Sequence, residues 1–492
     1  MLGFDIWAGL RCGGGQMCQS YEERLPYVWE DGSPTGKVKS VEEAIRVLNL
    51  ILHQDRLADG QRVDLNYVRE VLKGVRDGEP VNREAQHVAA IMAADEIDCS
   101  TQAFLLAFSR KVERKRKLRD VVNAVRMGIR MKHKLRRRTT ASSSSDKERS
   151  SSHGPGLVAG VLEGIDSWGD FDVFQLSSEA PGSVLQTVTR TVMDRRNIVR
   201  SFSFSRHTVQ KFFGEVESRY LDNAYHNAIH AADVTQGVHV LLDRGMGTSL
   251  SELEIFAVVF AAACHDVGHM GLNNDFLMKS QHDIAITYND ESVNENMHLA
   301  TAYRILARQD CDFLRDSFTP KQRESMRKMV VAIVLATDMA HHFTNLNALN
   351  RMIEEKGKDF TKWDSTLQLL EAVLHCADLS NAAKPMRLAL QWTDRVLEEF
   401  FVQGDQERRL GRDVSPLCDR YSVSKASSQT GFISFIVRPM FQALTPLCNT
   451  EDMLGNLQSC HQHWSQELCK EKRKRATRQT REVRSAPEAD KA

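Results

Sequence analysis

Apolar residues recur with a helical period through most of the second half of the chain. In the stretch SELEIFAVVFAAACHD, one face carries Leu253, Phe256, Ala257, Phe260, Ala261 and Cys264. Val258 and Val259 lie on another face, so this helix is apolar nearly all round and should be central and buried. A second helix carries an apolar stripe with steps of four, three, four and three residues, formed by Trp363, Leu367, Leu370, Leu374 and Ala377.

Strand patterns and helix breakers are both scarce. The 203 residues between Pro181 and Pro385 contain one proline, Pro320. We therefore predict an all-α protein with a compact multi-helix domain over residues 159–469.

The remaining segments flank this domain. Residues 1–138 are predicted to form a smaller helical and basic region, and a capping-box pattern begins one of its helices at Ser40. Residues 139–158 are rich in serine and poor in apolar side chains, which is typical of a flexible linker. Residues 470–492 are predicted to be a disordered polar tail.

Composition excludes several classes of protein. The 492 residues contain 65 Lys and Arg and 65 Asp and Glu, and this neutral balance argues against a nucleic-acid partner. No apolar run reaches the length of about 18 residues that a transmembrane helix needs. The ten cysteines are sparse and form no CxxC pair, which favours reduced thiols and a cytoplasmic location.

Charge is concentrated in one segment. Residues 110–138 contain 14 Lys and Arg and two acids, a net charge of 14 − 2 = +12, with an apolar stripe from Leu118 to Ile129. This basic amphipathic helix suits an acidic regulatory protein such as calmodulin, an anionic lipid surface with peripheral membrane association, or an autoinhibitory strap. A solvated connector helix or a nuclear-import-like run explains the same pattern without a partner.

Histidines crowd into one part of the predicted domain. Eight of the 17 lie between residues 201 and 300. His226 and His230 are four residues apart, so on a helix they would share one face. His265 and Asp266 end the apolar helix, and Asp378 ends another.

These polar groups each terminate an otherwise buried helix, which is unfavourable unless something compensates them. A divalent metal would do so, and imidazole with carboxylate suits zinc or another first-row ion in a catalytic site. Asp266 has two carboxylate oxygens and can bridge two ions, the arrangement used in phosphoester hydrolysis. The residues alone thus favour a helical metallohydrolase of phosphoesters.

Eight motifs, in order, carry a family resemblance over about residues 165–450. They are YHNAIHAADV, HDVGH, ATDMA, CADLSN, QWTDRVLEEFF, QGD, SPLCDR and SQTGF. The chain resembles the catalytic domain of the class I 3′,5′-cyclic nucleotide phosphodiesterases. The resemblance implies an enzyme that hydrolyses a cyclic purine nucleotide to the 5′-nucleotide and so ends cyclic nucleotide signalling, and it leaves room for a homodimer.

The resemblance also implies residue roles. It makes His230, His265, Asp266 and Asp378 ligands of a tighter metal, usually Zn²⁺, with Asp266 shared with a second ion, usually Mg²⁺ or Mn²⁺. It makes His226 the general acid that protonates the leaving 3′-oxygen. The implied substrate-binding residues are Tyr225, Asn381, Val396, Gln429 and Phe432. Residues expected near the second metal and its waters are His269, Glu295 and Thr337.

Two positions depart from the family pattern, and the substrate has alternatives. Gly268 stands where many members have Asp, and Met297 stands where many have His, which bears on the surroundings of the second metal. Asn381 resembles the members that prefer cyclic AMP, so we expect cyclic AMP to be favoured over cyclic GMP. The alternatives are a dual cyclic AMP and cyclic GMP enzyme, a cyclic-nucleotide sensor that does not hydrolyse its ligand, and an HD-type hydrolase of other nucleotides.

Overall fold

The computed structural model describes residues 155–247 and 249–485, and within them every regular element is helical. The all-α prediction is therefore confirmed. The described residues fall into two compact units, one comprising residues 155–345 and 359–378 and the other residues 346–358 and 379–485. The predictions for residues 1–138, and for the linker up to residue 154, lie outside the described residues.

The first unit contains most of the helices. They are α1 (Pro155–Leu162), α2 (Val173–Glu179), α3 (Val184–Arg195), α4 (Ile198–Ser201), α5 (Arg206–Glu217), α6 (Ala228–Leu241), α7 (Glu252–Cys264), α8 (Asn274–Lys279), α9 (Asp283–Thr287), α10 (Val293–Leu306), α11 (Pro320–Leu335) and α13 (Leu367–Asp378). Helix α12 (His342–Lys356) begins in the first unit and ends in the second. Helix α1 thus already includes the last residues of the predicted linker.

Local sequence explains where the central helices begin. The Ser251 side chain accepts from the backbone N–H of Glu254, whose carboxylate accepts in return from Ser251, a capping box that starts α7. Thr319 and Gln322 form the same motif at the start of α11, with Pro320 in the first turn. Residues Phe256–Cys264 of α7 are all buried, as the apolar pattern predicted.

A glycine allows two helices of the first unit to cross closely. Helix α6 packs against α3, α7 and α13. At the crossing with α13, a Cβ on Gly237 would lie 3.3 Å from the Cβ of Ala377. This close approach brings the residues of α6 near the carboxyl end of α13, where Asp378 lies.

The second unit contains α14 (Met386–Arg409), α15 (Lys425–Phe432), α16 (Arg438–Leu444) and the long α17 (Glu451–Ser485). Helix α17 packs along α14, α15 and α16. Gly404 of α14 lies under a crossing loop, since a Cβ at this position would be 1.9 Å from the carbonyl oxygen of Cys418.

The C-terminal segment is helical as far as it is described. We predicted a disordered tail from Lys470, whereas α17 continues to Ser485, because the end of an established helix propagates readily through residues with good helix propensity.

Among the described residues, no single helix combines the length and the hydropathy of a membrane span. One bent pair, Pro320–Leu335 with Met339–Lys356, meets the length and composition test.

Candidate metal centre

His230 is placed by the start of α6. The side-chain oxygen of Asn227 accepts from the backbone N–H groups of Ile229 and His230, which caps the helix. His226 therefore lies before the helix, and the expectation that it shares a helical face with His230 is wrong. The two rings are nevertheless close, with centroids 5.8 Å apart, because the chain turns at Asn227.

His265 and Asp266 are placed by the end of α7. The Tyr220 hydroxyl donates to the carbonyl oxygen of Ala263 at 3.1 Å and accepts from the backbone N–H of Asp266 at 3.4 Å. It thereby satisfies one of the carbonyls that a helix end leaves without an intrahelical partner. This buried tyrosine fixes the turn that carries both ligand candidates, and the sequence patterns did not single it out.

Four side-chain atoms from three segments converge in the first unit. His230 Nε2 lies 3.0 Å from Asp378 Oδ1 and 3.5 Å from Asp266 Oδ2. His265 Nε2 lies 3.0 Å from Asp266 Oδ2 and 3.3 Å from Asp378 Oδ1. The structure thus brings together the four residues that the sequence nominated as metal ligands.

These separations fit a shared divalent ion. Nitrogen and oxygen ligands about 2.1 Å from one ion lie about 3.0–3.4 Å from each other in tetrahedral or octahedral geometry. His265 Nδ1 is 2.8 Å from the carbonyl oxygen of Ala262, and donation there directs Nε2 towards Asp266 and Asp378, where a metal would take the place of its proton. His265 Nε2 and Asp266 Oδ2 are buried and make no hydrogen bond, which a metal would compensate.

The electrostatics of the cluster reflect concentrated charge. Burial lowers the pKa of His265, but the carboxylates of Asp266 and Asp378 outweigh it and hold that pKa well above its usual range. Burial raises the pKa of Asp266, but the imidazoles around it, His265 foremost, hold it well below the ordinary value. The carboxylates are thus ionised and ready to bind a cation.

The second oxygen of Asp266 faces a residue that the sequence reasoning did not nominate. His298 Nε2 lies 3.7 Å from Asp266 Oδ1, and its Nδ1 is 2.9 Å from the carbonyl oxygen of Val267. Burial lowers the pKa of His298 to about 4, so its imidazole is neutral and able to bind a metal. Its place in a histidine-rich stretch was the one available signal.

Glu295 and Thr337, expected near the second metal, have different surroundings. Glu295 accepts two hydrogen bonds from the Asn274 side chain, and burial, with Asp338 and Asp266 nearby, raises its pKa to about 8. Thr337 is buried, and its hydroxyl donates to the carbonyl oxygen of Val334 at the end of α11. Its hydroxyl oxygen therefore retains acceptor capacity.

The two departures from the family pattern lie side by side. Gly268 has a φ of +80°, a conformation that favours glycine, and a Cβ there would lie 3.3 Å from Met297 Sδ. Thr301 Oγ1 donates to the same sulfur at 3.6 Å. An apolar contact therefore joins the HDVGH segment to α10 at this point.

His226 and His269 form a stacked pair beside the cluster. Their ring centroids are 4.1 Å apart with 29° between the planes. His269 Nδ1 accepts from the backbone N–H of Gly271 at 3.0 Å, which orients its ring. Tyr225 is buried and packs on His230, with ring centroids 4.5 Å apart.

The residues expected to bind the base lie in the second unit. Gln429 is buried on α15, and its side-chain oxygen accepts from the Thr393 hydroxyl of α14 at 3.2 Å. Asn381 is buried, and its side-chain oxygen accepts from the backbone N–H of Ala382 at 2.6 Å. Val396 and Phe432 are each half-buried.

Another His–Asp cluster in the first unit is already neutralised. His239 Nε2 lies 2.7 Å from Asp166 Oδ1 and 3.6 Å from Asp243 Oδ2. Arg196 pairs with Asp243 at 2.8 Å, and Arg195 lies 3.5 Å from Asp166. Because arginine already compensates these carboxylates, the cluster has no need of a metal.

Comparison with known proteins finds a family model that matches the part of the chain that carries this geometry. Residues 225–460 match the family model described as 3′5′-cyclic nucleotide phosphodiesterase. The chain is 39% identical over 318 residues to the probable 3′,5′-cyclic-AMP phosphodiesterase pde-4 of Caenorhabditis elegans, covering 63% of this chain and 47% of that protein. It is also 39% identical over 319 residues to the 3′,5′-cyclic-AMP phosphodiesterases 4C of Rattus norvegicus and Mus musculus, covering 63% of this chain and 59% and 46% of theirs.

The chain therefore spans about half the length of the curated relatives it matches. The matched region begins at Tyr225 and includes the four converging ligand atoms, His226 and Gln429. Through residues 225–460, the chain is similar to the 3′5′-cyclic nucleotide phosphodiesterase family.

Proposed function

We propose that this chain is a metal-dependent phosphodiesterase that hydrolyses cyclic AMP to 5′-AMP and so ends cyclic nucleotide signalling. The observation that carries the proposal is the convergence of His230, His265, Asp266 and Asp378, with two buried donor atoms left for an ion. The relatives compared above are 3′,5′-cyclic-AMP phosphodiesterases, which supports cyclic AMP as the substrate.

The donor set supports particular metals. Two imidazoles and two carboxylates suit Zn²⁺ at the four-residue site. Asp266 Oδ1, with His298 and the Glu295 carboxyl nearby, suits a harder ion such as Mg²⁺ or Mn²⁺ at a second site. When bound, the ions supply a water of lowered pKa and neutralise negative charge on the phosphoryl oxygens.

Side chains of the protein are proposed to donate the proton and to bind the base. His226 is half-buried and stacked on His269, a position from which a protonated imidazole donates a proton to the leaving 3′-oxygen as the bond to phosphorus breaks. Gln429 provides an amide for the purine edge, and Val396 and Phe432 provide apolar contact with the base faces. Asn381 is proposed to favour adenine.

A dual enzyme is the second candidate, and one contact favours it. The Thr393 hydroxyl that bonds the Gln429 amide is able either to donate or to accept. The amide is therefore free to adopt the orientation that suits adenine or the one that suits guanine.

Purified protein tests both candidates. Phosphate release from cyclic AMP and from cyclic GMP is measured with a coupled 5′-nucleotidase, before and after a chelator and again after Zn²⁺ and Mg²⁺ are restored. We expect chelator-sensitive turnover with a higher kcat/KM for cyclic AMP. Equal values for the two nucleotides would favour the dual enzyme, and binding without turnover in metal-loaded protein would refute hydrolysis.

Asn381→Ala examines the selectivity step by itself. If its amide bonds the base, the preference for cyclic AMP falls by about 1–3 kcal/mol, a factor of roughly 5–150. An unchanged preference would show that Asn381 has only a structural role, through its bond with the Ala382 N–H, and that other residues set the selectivity.

Regulation and location are further proposals. We propose a cytoplasmic enzyme, which the absence of a disulfide bond among the described residues supports. Segment 110–138 is proposed to bind an acidic regulatory protein, anionic lipid at a membrane surface, or the catalytic region. A chain truncated to begin at residue 157 should then differ in activity from the full chain at low salt.

A homodimer is proposed as well, and analytical ultracentrifugation of the full chain tests it.

A further inference from the structure

One asparagine side chain ties together the two segments that carry the site's histidines. Asn223 Nδ2 donates to the backbone carbonyl oxygen of His226 at 2.8 Å and to that of His269 at 2.6 Å. Each bond uses one of the two hydrogens of the amide. The segment before α6 and the segment after α7 are thereby linked at the histidines that stack on each other.

The link continues into the helix that carries His230. The backbone carbonyl oxygen of Asn223 accepts from the side-chain nitrogen of Asn227 at 2.9 Å, and the side-chain oxygen of Asn227 caps α6. Asn223 thus connects the general-acid candidate, its stacking partner and the helix cap through three hydrogen bonds.

His226 needs such support because no helix holds it. It precedes the first residue of α6, so its backbone carbonyl lies outside the regular hydrogen bonding of the helix. A displacement of about 1 Å in a catalytic group costs about 10²-fold in rate. A hydrogen bond from the Asn223 side chain to that carbonyl fixes the backbone that carries the His226 ring.

We infer that Asn223 is a positioning residue for proton transfer: it holds the His226 imidazole against His269 by bonding both backbone carbonyls. This inference rests on the proposed function, because His226 needs its position in order to protonate the leaving oxygen. Neither the sequence motifs nor the metal cluster assigned Asn223 a role.

Asn223→Asp tests the inference with little change in shape. The variant replaces the donor with a carboxylate oxygen that both carbonyls repel. With cyclic AMP, we expect kcat to fall by about 10- to 100-fold while KM changes little. Zinc content by elemental analysis should equal that of the wild type, because the four ligand residues are untouched.

A second substrate separates positioning from a general structural defect. Bis(4-nitrophenyl) phosphate has a leaving group that departs without a proton, so a defect in proton donation hardly affects its hydrolysis. We expect Asn223→Asp to retain wild-type activity with this substrate to within about threefold. An equal loss with both substrates would overturn the inference, as would full activity with cyclic AMP.

Asn296 provides a matched control. Its side-chain nitrogen also donates to two backbone carbonyls, those of Glu291 at 2.7 Å and Ser292 at 3.1 Å. Asn296→Asp should leave cyclic AMP turnover within about twofold, since it removes similar bonds away from His226. If Asn223→Asp does not fold, Asn223→Ser supplies the same comparison without the charge. Absence of turnover by the wild type would defeat the proposed function itself, a result that differs from failure of the Asn223 variant alone.

Discussion

The raised pKa of Glu295 predicts an unusual dependence of stability on pH. In the metal-free protein, burial holds the pKa of this carboxyl at about 8, against an ordinary value of 4.5. Between pH 4.5 and about 8, the folded state therefore keeps a proton on Glu295 that the unfolded state has released. Stability should fall as pH rises from about 5 to 8, because unfolding then releases that proton. Glu295→Gln removes the titrating group and retains an oxygen for the Asn274 amide.

The size of the effect follows from the two pKa values. At roughly 1.4 kcal/mol per pH unit, a pKa of about 8 in place of 4.5 corresponds to nearly 5 kcal/mol once both states are ionised. The Glu295 side chain keeps some contact with solvent, which screens part of this penalty. We therefore expect the free energy of unfolding of the wild type to fall between pH 5 and 8.5, and that of Glu295→Gln to fall by roughly 2–3 kcal/mol less.

Urea unfolding of chelator-treated protein at several pH values measures this difference. Glu324→Gln is the control, because Glu324 is an exposed residue paired with Lys328 on α11 and its removal should leave the pH profile unchanged. Adding Mg²⁺ or Mn²⁺ should stabilise the wild type more than Glu295→Gln at high pH, since the ionised carboxylate then lies near a cation. Parallel pH profiles for the wild type and Glu295→Gln would refute the reasoning.

Three further predictions concern the metal centre and the packing of α14. Asp378→Ala should lose zinc by elemental analysis and lose turnover, and a folded variant with unchanged zinc would disprove the ligand assignment. Tyr220→Phe, which removes the hydroxyl bonded to Ala263 and Asp266, should weaken zinc binding about tenfold in a chelator competition; unaltered affinity would show that the turn holds without it. Gly404→Ala should lower the free energy of unfolding by about 3 kcal/mol, whereas Gly455→Ala, in open space on α17, should raise it by about 0.5–1 kcal/mol; equal effects in urea unfolding would contradict the packing argument.

Helical period and capping residues determined much of the fold. The all-round apolar pattern of Phe256–Cys264 required a buried helix, and the structure shows that this helix starts at a capping box on Ser251. Imidazoles and carboxylates close to helix ends pointed to a metal site, and the family resemblance nominated the four candidate ligands. The fold prediction is confirmed because it depends on local spacing, and the ligand assignment stays a prediction from residue chemistry.

Tertiary structure decided what depends on groups distant in the chain. His226 and His230 are close through the turn at Asn227, whereas helical spacing suggested a shared face. Tyr220 and His298 reach the Asp266 segment from other elements, and no periodic pattern identifies a side chain that bonds a distant backbone group.

The sequence by itself thus determined the class of fold and indicated the ligand types and the family resemblance. Only the folded chain decided which atoms converge to within 3.0–3.5 Å, which buried polar atoms lack a hydrogen bond, and which side chain bonds the backbone carbonyl of His226. The reason is physical: periodicity reports which face of a helix is buried, but the separation of two atoms on different helices is set by packing at their crossing, as where Gly237 meets Ala377.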